Sequence, residues 1–186
     1  MSYIGWEVSP RSVLAEYSGG KIFGRDPLSK VAPGKPIKVC GLMGACILLR
    51  KTAIDEIGVM DENFFLVYEE TDWLWRLQKT RWSVWYLPNV TITHFCGQSS
   101  KYIGGQGLIE TMLSLKYYLR KHYGSLMAFM TATILFIVYS WWLLKTEIKG
   151  VLKGKGQEYY YRISRFKYIL LGLLIQRRLK NYPKIT

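Results

Sequence analysis

The pattern of apolar and polar positions changes character twice along the chain. Through residue 40 the apolar runs are short and broken by Gly19-Gly20, Gly24, Pro27, Pro33-Gly34 and Pro36. That punctuation predicts extended pieces and turns and leaves no room for a long helix. Gly41 and Gly44 then lead into an apolar strand at 45–49, and 52–57 reads as a short helix. Residues 64–68 form an aromatic strand or loop ending at an acidic cluster, after which Thr71 can cap a helix over 72–80 with Trp73, Leu74 and Leu77 on its inward face. Residues 83–94 predict two strand pieces around Pro88, the second being the β-branched stretch 90–94. Residues 97–107 read as loop and 108–123 as an amphipathic helix, followed by an apolar run and a basic, tyrosine-rich helical tail. The fold class is therefore mixed α/β over 1–107 and α-helical over 108–186, the boundary falling between Gly105 and Gly124. No internal repeat or low-complexity tract interrupts this scheme.

Composition sharpens the second part. With 186 residues, 49% hydrophobic and 15% aromatic, the chain suits one core plus an appendage. Residues 1–100 hold 11 Lys/Arg against 10 Asp/Glu, a balance of +1, whereas 101–186 hold 15 against 3, a balance of +12. A basic, aromatic tail fits either nucleic acid or an anionic membrane surface, and the uncharged run 125–144, SLMAFMTATILFIVYSWWLL, points to the membrane. Arg120, Lys121 and His122 precede the run, Lys145, Lys149, Lys153 and Lys155 follow it, and Trp141 and Trp142 sit near its end, where interfacial aromatics lie. Both flanks are basic, so the positive-inside rule does not choose an orientation. Two seats stay open: a single crossing, or a re-entrant or interfacial helix beside 168–175, a run too short to span alone. The expected location is the cytoplasmic face of the cell membrane, and no nucleic-acid partner is expected. Cys40, Cys46 and Cys96 form no CxxC pair and are odd in number, as expected of reduced, cytoplasm-facing thiols. Residues 1–10 lack the basic start and apolar core of a cleavable signal peptide.

Three segments recur in a fixed order: GACILLRK at 44–51, GVMDENFFLVYEETD at 58–72, and HFCGQS at 94–99. Together they resemble the second half of family 2 glycosyltransferases of the rhamnosyltransferase-like kind, whose pattern runs GA-hydrophobic-RR, GGFDExFFxYxEDxDxxxR, then HxxGxS. Arg76 falls at the arginine of that pattern, and the resemblance covers about residues 10–124, extended weakly upstream by Gly19-Gly20. It implies a partial GT-A-type nucleotide-diphospho-sugar transferase domain followed by an α-helical membrane-associated tail. The implied reaction is inverting transfer of a sugar from a nucleotide-diphosphate donor to a lipid-linked or polysaccharide acceptor, in cell-envelope polysaccharide biosynthesis.

The resemblance puts Glu70 at the position of the general base, which must take a proton from the acceptor hydroxyl as it attacks the anomeric carbon. The family usually has Asp there, and the extra methylene moves the carboxylate by on the order of 1 Å. Asp72 joins Glu70 in the catalytic constellation, its carboxylate expected to order the loop through backbone amides of the helix start. Glu69 lines the pocket and is expected to pair with a basic neighbour such as Arg76. Gly44 and Ala45 admit close approach of the donor sugar or, equally, tight strand packing. Trp73 adjoins the acidic cluster and is placed in the pocket as a sugar-stacking candidate, against the alternative that it is core. His94 is implied as a ligand of the donor's divalent cation, Mg²⁺ or Mn²⁺, the alternative being a hydrogen-bonded structural histidine.

Such enzymes hold the donor with an Asp-x-Asp pair, and here Asp26, Asp55, Asp61 and Asp72 include no two spaced by one residue. The expectation is a chain that does not turn over alone, its donor half being absent or supplied by a separate amino-terminal donor-binding polypeptide. A non-catalytic membrane-bound remnant or partner subunit is the competing reading.

Overall fold

The computed structural model describes residues 4–5, 8–19, 34–95 and 104–176. The first helix, α1 (Pro10–Tyr17), lies where only extended pieces and turns were expected. Its start is written in Ser9-Pro10: Ser9 and Ser12 cap each other reciprocally, with Ser12 N donating to Ser9 Oγ at 3.2 Å and Ser9 N to Ser12 Oγ at 2.9 Å. Proline at the first helical position adds no unsatisfied donor. Residues 20–33, which include Gly20, Gly24, Pro27 and Pro33 of the expected punctuation, lie outside the described residues.

Two small antiparallel ladders follow. Strand β1 (Ile4–Gly5) pairs with β3 (Gly41–Leu42), and β2 (Ile37–Val39) pairs with β4 (Val84–Tyr86), Lys38 opposite Trp85. The strand expected at 45–49 does not form: residues 44–46 turn, 47–50 are irregular, and Leu48 is 98% exposed. The stretch 90–94 is likewise irregular and exposed, so only the first of the two pieces around Pro88 is a strand. Apolar alternation supplies a face, but a strand also needs a neighbour for its backbone, and neither stretch has one among the described residues.

Helix α2 (Lys51–Ile57) matches its expected place closely. Helix α3 (Glu69–Gln78) starts three residues before the expected position, and its cap is Tyr68, in the left-handed region at φ 70°, after Val67 at φ 54°. Thr71 thus lies inside the first turn. No side chain caps α3; Glu69, Glu70 and Asp72 place negative charge at the positive end of its dipole instead. Ala53, Trp73, Leu74, Leu77 and Val84 form the core that joins α2, α3 and β4.

Helix α4 (Gly104–Lys153) begins within the stretch expected as loop and is broken at Gly124, where φ 85° and ψ 163° suit glycine alone. Helix α5 (Gln157–Leu174) returns along it. Tyr159 meets Gly150, and Phe166 meets Tyr139 and Trp142, so α5 is antiparallel to the half of α4 after Gly124. Tyr168 meets Gly105, Gly172 meets Ile109 and Met112, and Lys116 Nζ donates to the Leu173 carbonyl at 2.8 Å, so α5 runs parallel to the half before it. The main core is shared: Val13 and Leu14 of α1 and Phe64 are buried with Leu115, Tyr118, Leu135, Tyr139, Phe166 and Ile169 of the helical part.

Candidate active site

The acidic segment 61–72 is built between two supports. On one side, Arg76 reaches back along α3 to Asp72, Nε to Oδ2 at 3.0 Å, while its other nitrogens donate to the carbonyls of Ile57 and Val59, the latter at 2.8 Å. This ties the helix to the turn that precedes the motif. Arg76 is therefore held by Asp72, where Glu69 had been its expected partner. Trp73 Nε1 donates to the Gly58 carbonyl at 2.7 Å and holds the same turn.

On the other side stands α4. Lys121 Nζ bridges Asp61 Oδ2 and Asp72 Oδ1, each at 2.7 Å, and His122 Nε2 lies 2.7 Å from the same Asp72 oxygen. Tyr117 donates its hydroxyl to Asp61 at 2.8 Å. Asp72 is wholly buried, with His122 4% and Lys121 27% exposed. Burial opposes the charge on Asp72, but His122, Lys121 and Arg76 outweigh it and keep its carboxyl below the usual range. For Asp61, burial is again outweighed, here by Lys121, Asn63 and Tyr117, and its pKa falls to about 2.

Glu70 is in the opposite condition. It stands half-buried in the first turn of α3 against Gly44, whose position for a Cβ lies 3.7 Å from Glu70 Cγ and Cδ. That is ordinary contact, so Gly44 adjoins Glu70 without having to be glycine. Burial, then the neighbouring Glu69 charge, push the Glu70 carboxyl upward, against backbone N–H groups of Glu70, Gly44 and Thr71 that pull it down. The Oε2 atoms of Glu69 and Glu70 are both enclosed and have no hydrogen-bond partner among the described residues. Glu70 is thus a carboxylate of raised proton affinity, whereas the Asp72 carboxyl on the same helix is held below the usual range.

The structure thus brings Gly44 to Glu70, while Asp72, two positions along α3, is anchored by Arg76 and by Lys121 and His122 of α4. Ala45 is exposed in the turn after Gly44. Trp73 does not reach the pocket: it is 2% exposed in the α2–α3–β4 core, because its position on α3 faces inward, and it has no face to offer a sugar. The expected anchoring of Asp72 by helix-start amides is replaced by the side chains of Arg76, Lys121 and His122. His94 is exposed in the irregular stretch after β4, and Cys96, Gly97, Gln98 and Ser99 lie outside the described residues. Among the described residues no three His, Cys, Asp or Glu side chains converge, so this chain's described part does not by itself build a metal centre.

Asp61, Tyr117, Lys121 and His122 were missed by the sequence as members of the site. Lys121 and His122 read there as a basic membrane flank. The one available signal was helical spacing: residues 117 and 121 are one turn apart and share a face.

Comparison with known proteins gives a partial relationship. The N-acetylglucosaminyl-diphospho-decaprenol L-rhamnosyltransferases of Mycobacterium tuberculosis strains CDC 1551 / Oshkosh and ATCC 25618 / H37Rv are each 34% identical to this chain over 59 residues. The aligned part is 32% of this chain and 19% of theirs, so the chain spans about a fifth of the curated relatives' length. No family model matches the chain, and no solved structure does. Over about a third of its length the chain is thus related to a glycosyltransferase.

Proposed function

We propose that the chain is the acceptor-side part of a family 2, GT-A-type glycosyltransferase, residues 1–107, joined to a helical membrane-associated module, residues 108–186. The observation that carries this reading is Glu70: a half-buried carboxylate with raised proton affinity, set against Gly44 at the amino end of α3. In this role Glu70 accepts the proton of an acceptor hydroxyl during inverting transfer from a nucleotide-diphosphate sugar. Asp72 then acts through its anchorage, holding α3 and therefore Glu70 in place. A lipid-linked acceptor is supported by the diphospho-decaprenol in the relatives' name and by the basic, apolar helical part.

Donor binding needs groups that this chain does not supply as an Asp-x-Asp pair. A divalent cation there would draw on His94 together with ligands from outside the described residues, and would neutralise the leaving diphosphate. The chain by itself is accordingly proposed to be inactive. The absent pair and the glutamate at the usual aspartate position also favour a second reading, a non-catalytic membrane-bound subunit.

The test is transfer of radiolabelled L-rhamnose from its nucleotide-activated form to an N-acetylglucosaminyl-diphospho-polyprenol, with the chain alone and with a donor-binding half added. Transfer only in the second case, lowered at least about 100-fold by E70Q, supports the first reading. Equal transfer by E70Q removes Glu70 as the base, and no transfer in either case favours the second reading.

A further inference from the structure

The half of α4 after Gly124 has two faces. Ala128, Thr131, Leu135 and Tyr139 are buried against the protein. On the opposite side Leu126, Met130, Ile137, Trp141, Leu144, Ile148 and Val151 form one stripe at helical spacing, exposed at 71, 48, 62, 62, 51, 52 and 76%. From residue 126 to 151 the stripe is about 38 Å long, longer than the roughly 30 Å hydrocarbon core. It continues past Lys145, Glu147 and Lys149, where a membrane crossing of the uncharged run would already have ended.

The buried face rules on the alternative. Val13 and Leu14 of α1 pack in the same core as Ala128, Leu135 and Tyr139, and a Cβ at Gly19 would lie 3.8 Å from Trp142. Helix α1 also carries the exposed charges Arg11 and Glu16. Phe166 of α5 lies 5.8 Å from Tyr139 and 6.0 Å from Trp142, ring centre to ring centre, with exposed Arg165 and Lys167 on either side. Tyr139 is only about 7 Å along the axis from the centre of the run 125–144. A crossing would therefore carry α1 and the charged part of α5 into hydrocarbon, where such charges are strongly disfavoured.

We propose that this helix lies in the plane of a bilayer leaflet bearing anionic headgroups, its 126–151 stripe in the acyl boundary and its Tyr139 face on the protein. The occupant of the exposed stripe is lipid. A face this long and apolar is bordered by Lys145 and Lys149, whose stems can run along it while their charges reach phosphate, and the half of the chain that contains it carries a balance of +12. Trp141 within the stripe is an amphipathic ring suited to that depth. The seat stands on packing and charge alone, and holds whether or not Glu70 performs sugar transfer.

The test uses the full chain with Cys40, Cys46 and Cys96 changed to Ser, carrying L126C, I137C, L144C or V151C one at a time. Each is spin-labelled and bound to sealed vesicles of phosphatidylcholine with phosphatidylglycerol. Similar shallow immersion at all four positions, roughly 5–10 Å, is expected. A depth maximum at I137C, with L126C and V151C in opposite leaflets by reaction with an impermeant maleimide, overturns the proposal. Failure to bind the vesicles overturns it as well. The exposed-lysine variant K145Q/K149Q should bind these vesicles about tenfold more weakly, and its binding should approach that of the parent at high salt. Unchanged binding at low salt would remove the anionic headgroup as the partner.

Discussion

Lys121→Met is the most informative single change in the molecule. The ammonium makes two charge-assisted contacts of 2.7 Å, to Asp61 Oδ2 and to Asp72 Oδ1, residues 60 and 49 positions away in sequence. Removing one partner of a buried pair costs about 3–5 kcal/mol when the remaining charge is left alone. Here Asp72 keeps Arg76 and His122, Asp61 keeps Tyr117 and Asn63, and the lysine side chain is 27% exposed. Those facts reduce the expected loss to about 2 kcal/mol at neutral pH. Its pH dependence follows from the direction of the shifts. Both carboxyls are held below their ordinary values in the folded chain. Their pairing therefore contributes fully above the unfolded carboxylate pKa of about 4 and is lost as pH falls toward the folded value. The gap between the parent and K121M should shrink from about pH 4 downward and be largely gone near the Asp61 pKa of about 2. Urea unfolding followed by circular dichroism in mild detergent measures it, with D61N and the double variant closing the cycle. A loss below about 0.5 kcal/mol at pH 7, or a loss that does not change with pH, would refute the argument.

Three further outcomes follow from other parts of the structure. Because burial and Glu69 raise the Glu70 carboxyl, and a base must be deprotonated to work, transfer by the completed enzyme should rise with pH through a midpoint above the ordinary glutamate value. In E69Q that midpoint should move down, as a pH–rate profile would show. G124A places a side chain at φ 85° and ψ 163°, and should lower stability by about 1–3 kcal/mol although no atom lies within 4 Å of the new methyl, as denaturant midpoints of the two proteins would reveal. W73A empties the α2–α3–β4 core and frees the Gly58 carbonyl, for an expected loss of about 3–5 kcal/mol, and W73F should recover most of the packing but not the hydrogen bond.

The local elements were legible from residue order because they depend on neighbours three or four positions away. Residues 52–57, 72–80 and 108–123 carry helical periodicity, and the structure has α2, α3 and the first half of α4 there. The short helix α1 was legible in principle from its Ser9-Pro10 start but was outweighed by the glycines and prolines after it. Strands at 45–49 and 90–94 were not decidable, since a strand's backbone is completed by another strand and no local pattern states whether one is present.

Residue order alone determined the chemistry that was available: an acidic helix start with Glu69, Glu70 and Asp72, an uncharged run at 125–144, and a basic second half. Only the tertiary structure decided how each was used. It turned Trp73 inward, gave Asp72 to Arg76, Lys121 and His122, left Glu70 as the carboxylate that holds its proton more tightly, and laid α1 and α5 across one face of the apolar helix. The physical reason is range. Helical propensity and hydrophobic period act over a few residues, whereas charge pairing and burial act through space, between groups as far apart in this chain as Asp61 and Lys121.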